Sequence, residues 1–261
     1  MVRPVVKQGF DSSKGGPFPA SAARNVGFPA VAVLGHRGAS AACPENTIEA
    51  FLEAVRLGAD GVELDVRRSA DGALVVHHDA VIEGVGPVAE LTVAELPGSV
   101  PLLDAALDAC AGLVVNAEIK NLPWEPGWDE AELVARQVAA MVAERRASVI
   151  VSSFSLASID AALAVDGDLV TGLLTTESLD QHQALELVRS RGHRALHPHH
   201  RVVTTELVAS AHDSGVAVNT WTVDDPERIR WLAGAGVDAI ITNRPDVALA
   251  ALGREVQEPG G

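Results

Sequence analysis

Acidic side chains recur at the ends of two apolar segments of this 261-residue chain. Glu63 and Asp65 alternate along one predicted strand, so their side chains share one face, and Glu118 and Lys120 alternate in the same way on the next predicted barrel strand. A carboxylate is costly to bury alone, so three of them on adjacent strands indicate a shared cation. Because carboxylate ligands select hard ions, Glu63, Asp65 and Glu118 predict a site for one divalent cation, Mg²⁺ or Ca²⁺, rather than zinc.

A second interpretation of the carboxylates needs no metal. They could pair with Arg37 and Lys120, because ion-pair networks also occur in barrel interiors. Lys120 is informative in its own right, since the other two lysines, Lys7 and Lys14, both fall in the amino-terminal segment. A compact ammonium at a strand end suits a phosphate oxygen or a developing negative charge.

Two histidines are placed beside these carboxylates. His36 follows the first predicted strand, and His78 follows an apolar run beyond the second. A nearby carboxylate raises the pKa of a histidine towards the working pH, which suits proton transfer. His77 and His78 alternate along the chain, so only one of them can face the site, and the residues alone leave that choice open.

Two other features at strand ends have competing interpretations. His197, His199 and His200 resemble a metal cluster, but their spacing matches no ligand motif, and a surface loop is predicted in preference to a second metal site. Trp221 follows the seventh predicted strand, where its ring could pack against a substrate or serve as a buried structural indole.

Eight short β-branched runs alternate with helical patterns along the chain. Eight strand–helix units in order, with strands buried on both faces, predict a (β/α)₈ TIM barrel. An open doubly wound sheet is the alternative, but G-H-R-G after the first strand is not the glycine-rich phosphate turn that such a fold favours. The predicted strands span residues 31–36, 60–66, 112–119, 148–153, 169–174, 194–197, 216–222 and 237–242.

One segment departs from this alternation. The second strand is followed by R-R-S-A-D-G-A and a further apolar run, Leu74 to Val76, and Asp71-Gly72 predicts a hairpin turn between the two. The returning strand would bring His78 opposite residues 64 to 66, at the carboxyl rim where barrel enzymes carry out their chemistry. Before the first helix, Asn46 with Glu49 resembles a capping box.

Composition limits the classes of function. Hydrophobic residues make up 48% of the chain, while 20 Lys+Arg against 35 Asp+Glu give a formal net charge of −15, which argues against nucleic acid as a partner. Two cysteines in no metal-binding pattern, no membrane span and no secretory signal favour a cytoplasmic protein. The predicted organisation is a flexible tail over 1–28, one domain over 29–252 and a short tail over 253–261.

An ordered set of motifs resembles the glycerophosphodiester phosphodiesterases. Any single stretch is weak, but together the motifs span about residues 31–246, and their order is highly specific. They are G-H-R-G-A-S from Gly35, P-E-N-T from Pro44, G-A-D-G-V-E-L-D-V from Gly58, D-G-A-L-V-V-H-H-D from Asp71, E-I-K from Glu118, V-S-S-F from Val151, V-N-T-W-T-V-D from Val218 and G-V-D-A-I-I-T-N from Gly236.

The resemblance implies a barrel enzyme that hydrolyses glycerophosphodiesters to sn-glycerol 3-phosphate and an alcohol. It implies His36 and His78 as the acid/base pair, which selects His78 over His77. It further implies that the carboxylates of E-L-D and E-I-K bind the metal and that Arg37 and Lys120 contact the phosphate.

The chain departs from the family pattern where the alcohol end of the substrate is expected. Ala80 opens A-V-I-E-G-V-G in place of an R-T-T-like stretch, and the small insertion before Pro101 is reduced. Related activities therefore stay open, namely a barrel phosphodiesterase for a lysophospholipid or a glycerophosphoinositol, or a non-catalytic phosphoester-binding protein.

Overall fold

A computed structural model describes residues 31–143 and 148–255 of the chain. Over these residues, eight parallel strands form a closed barrel with a helix after each strand, as the sequence predicts. The predicted tail 1–28 lies outside the described residues, as does 256–261 of the predicted tail 253–261.

The barrel closes because its first strand pairs with its last. It is hydrogen-bonded in parallel to the second strand and also to the last, an arrangement that an open doubly wound sheet does not have. The barrel strands are β1 (Ala32–His36), β2 (Gly61–Arg68), β6 (Val114–Ile119), β7 (Val149–Ser153), β8 (Val170–Thr175), β9 (Ala195–Pro198), β10 (Ala217–Thr220) and β11 (Ala239–Thr242).

Helices cover the outside of the barrel and bury the outward-facing strand residues. Apolar side chains such as Leu64 and Val115 pack against helix residues such as Phe51 and Val138, while a smaller group that includes Leu34 and Ile241 fills part of the interior. The helices are α1 (Ile48–Leu57), α2 (Leu103–Ala109), α3 (Leu133–Val142), α4 (Leu156–Val165), α5 (Gln181–Ser190), α6 (Thr205–Asp213), α7 (Pro226–Ala235) and α8 (Pro245–Ala251). None of the helices in the described part of the chain combines the length and apolar character needed to cross a membrane.

The predicted hairpin is present after the second barrel strand. β3 (Leu74–Val76) pairs antiparallel with the end of β2, and Val66 faces Val76. The turn between them spans residues 69–73, where Gly72 adopts a left-handed φ of +88°. The segment that follows contains only the short strands β4 (Val81–Ile82) and β5 (Gly86–Pro87) and one 3₁₀ turn, Val88–Glu90, so the insertion is small.

The cap of α1 differs from the expectation. Thr47, not Asn46, is the N-cap, and its hydroxyl accepts from the backbone N–H of Ala50 at 3.2 Å. Asn46 has a left-handed φ of 56°, and its side chain contacts a residue of β2 instead. The capping-box prediction was therefore wrong, because a short sequence motif does not reveal a hydrogen-bond partner on a strand that is distant in the sequence.

Gly38, in the loop after β1, lies so close to α1 that a side chain would not fit. Its φ is +83°, and a Cβ placed there would lie 2.6 Å from the carbonyl carbon and oxygen of Ala50. Gly112 has a similar φ of +89°, but a Cβ placed there would have no atom within 4 Å, so this glycine provides a matched comparison.

We expect Gly112→Ala to lower the free energy of unfolding by about 1–2 kcal/mol, the cost of a left-handed alanine. Gly38→Ala should lower it by a further ~1–3 kcal/mol, because backbone atoms of α1 must also move. Urea denaturation of both variants measures the difference. Equal losses of unfolding free energy in the two variants would mean that the loop after β1 accommodates the added methyl group without a further energetic cost.

Candidate active site

The carboxyl ends of the barrel strands converge at one rim, and the first three barrel strands carry most of the predicted site residues. Strand register places His36 beside Glu63, and Asp65 beside Glu118. Since neighbours in a parallel register share a face, these side chains meet inside the barrel mouth.

The three carboxylates form one buried cluster. Glu63, Asp65 and Glu118 are 2%, 1% and 6% exposed, and one oxygen from each lies within 4.8 Å of the other two. Within 31–143 and 148–255, no other set of three or more His, Cys, Asp or Glu side chains has this geometry.

Ion pairing accounts for part of this cluster. Asp65 lies 3.2 Å from Arg37 Nε and 3.1 Å from Lys120 Nζ, and Lys120 Nζ is 2.5 Å from Glu118 Oε1. Glu63 differs, because only its Oε2 is bonded by the backbone N–H of Arg37 at 3.0 Å, while its buried Oε1 has no hydrogen-bond partner among the described residues. Buried polar atoms are rarely left unpaired, so a hard-oxygen set with an unpaired oxygen fits a divalent cation.

The electrostatics of the cluster agree with that fit. Burial raises the pKa of Glu63 well above its ordinary value, and the negative charges of Asp65 and Glu118 add to the effect. Burial also raises the pKa of Glu118. Although burial opposes it, the charges of Lys120 and Arg37 lower the pKa of Asp65 to about 2. A bound cation would favour ionisation of all three groups, since metal ligands must be deprotonated.

His36 lies at the end of β1 with its two ring nitrogens in different surroundings. Nδ1 is 2.6 Å from Oδ1 of Asn243, and Nε2 is 3.9 Å from Glu63 Oε2. Burial lowers the pKa of His36, and the charge of Arg37 lowers it further. These effects favour a neutral ring that can accept a proton.

His78 reaches the rim on the returning strand of the hairpin. The backbone N–H of His77 donates to Asp65 O at 3.0 Å, which sets the register of this segment. His78 Nδ1 lies 2.7 Å from Asp79 Oδ1, while His77 Nδ1 lies 2.9 Å from the backbone oxygen of Asp79. Burial lowers the pKa of the half-buried His78, which the charge of Asp65 opposes.

Two residues that support the site, Asn46 and Arg67, were not predicted as site residues. Asn46 Nδ2 donates to Asp65 Oδ2 at 2.8 Å, and its Oδ1 accepts from the Asp65 backbone N–H at 3.3 Å. Arg67 Nε donates to the carbonyl of His78 at 2.9 Å, and its Nη1 pairs with Glu125 at 3.0 Å. The position of Asn46 within P-E-N-T was the one sequence signal that it belongs to the site. No local pattern distinguished Arg67 from the other arginines.

Two aromatic side chains, Phe154 and Trp221, lie just beyond the carboxyl ends of β7 and β10. Trp221 is partly buried, and its Nε1 donates to the carbonyl of His197 at 2.8 Å, so only its ring is available to another molecule. The ring packs edge-on against Phe154 and His199, with centroids 5.4 and 5.2 Å apart. Lys120 Nζ lies 5.9 Å from the centroid of Phe154, which joins these rings to the charged cluster.

The histidines at 197–200 do not form one surface loop. His197 lies on β9 and is 0% exposed, with Nε2 at 3.0 Å from Asn219 Nδ2. His199 pairs with Glu177 at 3.1 Å and caps a short 3₁₀ turn that begins at His200. The loop prediction was therefore wrong for His197, which the barrel interior holds as a buried hydrogen-bond acceptor.

Comparisons with known proteins agree with the geometry. The family model described as "Glycerophosphoryl diester phosphodiesterase family" matches residues 36–247. A glycerophosphodiester phosphodiesterase of Caldanaerobacter subterraneus is 34% identical, with 83% of this chain and 96% of that protein covered.

Solved structures are similar over nearly the same span. The glycerophosphodiester phosphodiesterase of Thermotoga maritima has a TM-score of 0.73 at 30% identity, covering 84% of this chain and 97% of that one. A structure from Silicibacter pomeroyi has a TM-score of 0.77 at 32% identity, covering 87% and 94% of the two chains.

Complete burial lowers the pKa of His197 from 6.5 to about 3. Because the unfolded chain binds this proton first, we expect stability to fall as pH decreases from 6.5 towards about 3. In His197→Gln, the slope of unfolding free energy against pH in this window should be shallower by up to ~1.4 kcal/mol per pH unit. Urea denaturation of both proteins at several pH values measures this slope. Equal slopes in wild type and His197→Gln would contradict the lowered pKa of His197.

Proposed function

Since this chain belongs to the glycerophosphoryl diester phosphodiesterase family, we propose that it hydrolyses glycerophosphodiesters to sn-glycerol 3-phosphate and an alcohol, using one divalent cation. The observation that carries the proposal is the buried carboxylate cluster, with its unpaired Glu63 oxygen, beside two cationic side chains and two histidines. The family match over 36–247 supports residues 29–252 as the single catalytic domain.

Glu63, Asp65 and Glu118 would hold the cation. Their all-oxygen donor set suits Mg²⁺ or Ca²⁺. When bound, such an ion supplies Lewis-acid stabilisation of charge on the phosphoryl oxygens. Asn46 orients Asp65 from outside the cluster through its two hydrogen bonds.

Arg37 and Lys120 would bind the phosphodiester. Both are fixed by carboxylates, Arg37 by Glu45 at 2.8 Å and by Asp65, and Lys120 by Glu118 and Asp65. Donors held in place before the substrate arrives offset the developing negative charge without reorganising. The ring of Trp221 would pack against the glycerol or the leaving group.

His36 and His78 would move the protons. One ring removes a proton from the nucleophile, which is water or the glycerol 2-hydroxyl, and the other protonates the leaving alkoxide. The hairpin places His78 at the rim, while β1 places His36 beside Glu63.

Mg²⁺ or Ca²⁺ should stabilise the folded protein, by ~2.7 kcal/mol when the ion is present at about a hundred times its Kd. Glu63→Gln should abolish this effect, because it removes a ligand oxygen charge. Glu186→Gln on the exposed face of α5 serves as the control and should keep it. Thermal unfolding with ion or chelator measures the shift, and equal shifts in wild type and Glu63→Gln would exclude this site.

His36→Ala and His78→Ala should each lower kcat for glycerophosphocholine by about 10²- to 10⁴-fold, because each removes a proton-transfer group. The exposed His182→Ala is the matched control and should retain wild-type turnover. Release of sn-glycerol 3-phosphate with Mg²⁺ or Ca²⁺ is the measurement. Full activity in His36→Ala would contradict the histidine roles, and binding without turnover of any glycerophosphodiester by wild type would contradict the enzymatic function.

A further inference from the structure

The side chain of Asn243 determines what His36 can do. Asn243 follows β11, and its Nδ2 donates to Asp224 Oδ2 at 2.7 Å, while its backbone N–H donates to Asp224 Oδ1 at 2.8 Å. A carboxylate can only accept hydrogen bonds. The amide nitrogen of Asn243 must therefore face Asp224, and the amide oxygen must face His36.

The surroundings of these two residues reinforce that orientation. Thr242 Oγ1 donates to Asp224 Oδ1 at 2.8 Å, which holds the carboxylate in place. Ser40 Oγ donates to Asn243 Oδ1 at 2.9 Å, so this oxygen already serves as an acceptor. At 2.6 Å from the same oxygen, Nδ1 of His36 can be bonded only as a donor.

From this geometry we infer that Asp224 and Asn243 are positioning residues that fix neutral His36 as the Nδ1–H tautomer and so make it the general base. The unprotonated nitrogen is then Nε2, which lies 3.9 Å from Glu63 Oε2, on the side of the carboxylate cluster. The assignment rests on the proposed function for the identity of the reaction, but the tautomer itself does not depend on it.

The proton balance of the step follows directly. Nε2 of His36 takes the proton of the nucleophile while the nucleophile's oxygen forms a bond to phosphorus. The bond from phosphorus to the leaving oxygen breaks, and that oxygen takes a proton from His78. If His36 were instead held with its proton on Nε2, that nitrogen would have no lone pair with which to accept a proton. In serine hydrolases, replacing the residue that orients the catalytic histidine likewise leaves the wrong tautomer and lowers kcat.

The tautomer can be measured without turnover. In wild-type protein labelled with ¹⁵N-histidine and held in Mg²⁺ above neutral pH, the ¹⁵N shifts and two-bond ¹⁵N–¹H couplings of His36 should show a protonated Nδ1. His36→Gln identifies the resonance by its loss. A protonated Nε2 would overturn the inference even in a fully active enzyme, whereas a protonated Nδ1 in an inactive protein would contradict only the proposed function.

Variants test whether the pair acts on the chemical step. Asp224→Ala and Asn243→Leu should lower kcat by about tenfold or more, with KM nearly unchanged, because general-base catalysis is lost while substrate contacts remain. The double variant D224N/N243D exchanges donor and acceptor, keeps a bond for Nδ1–H, and should recover most of that loss.

Asp225→Asn serves as the control. Like Asp224→Ala, it removes one negative charge, but it does so at the N-cap of α7, where asparagine caps equally well. It should leave kcat unchanged. Wild-type kcat in Asn243→Leu, or a loss that appears in KM alone, would overturn the positioning role. If D224N/N243D fails to recover kcat and His36 is no longer protonated at Nδ1, the positioning role is supported. If it fails to recover kcat although Nδ1 is still protonated, the positioning role is overturned.

Discussion

Three carboxylates inside the mouth of a barrel impose the constraint on which the rest of this site depends. Burial alone would drive Glu63, Asp65 and Glu118 towards their neutral forms, so the surrounding residues must supply charge and hydrogen bonds. Lys120 and Arg37 supply the charge, Asn46 supplies two hydrogen bonds to Asp65, and Glu63 keeps one oxygen unpaired. Arg37 even adopts a left-handed φ of 56°, from which its backbone N–H reaches Glu63.

The same constraint explains why few substitutions at the rim would be independent. Arg37 contacts Glu45, Glu63 and Asp65, so its side chain and backbone act on three carboxylates at once. Residues that share partners in this way have coupled energies rather than additive ones. The site is therefore one electrostatic unit, formed by residues of β1, β2 and β6 and of the loop that follows β1.

The barrel could be predicted from the sequence because its strands are buried on both faces. Short β-branched runs separated by helical patterns are visible without any tertiary information, and all eight strands were found within about two residues, an ordinary boundary error. The hairpin was also visible, because Asp71-Gly72 is a local signal. The carboxylate cluster followed from alternation on β2 and β6.

What escaped prediction depended on contacts between distant segments. Asn46 resembled a local cap, but its partner Asp65 lies on another strand. His197 sits in a polar-looking run of histidines with a proline, yet β9 turns its ring inward to Asn219 on β10. Asn243 was visible only as part of a motif, since its role requires Asp224, in the loop after β10, and His36, at the end of β1, to be brought together.

The position of Asn243 has a consequence for biosynthesis. Every carboxylate and both histidines of the site are encoded before residue 119, but the acceptor for His36 follows the last barrel strand. A nascent chain that has emerged as far as β10 would carry all of those groups without the partner that orients His36. The order of synthesis thereby delays a correctly oriented histidine until the barrel can close.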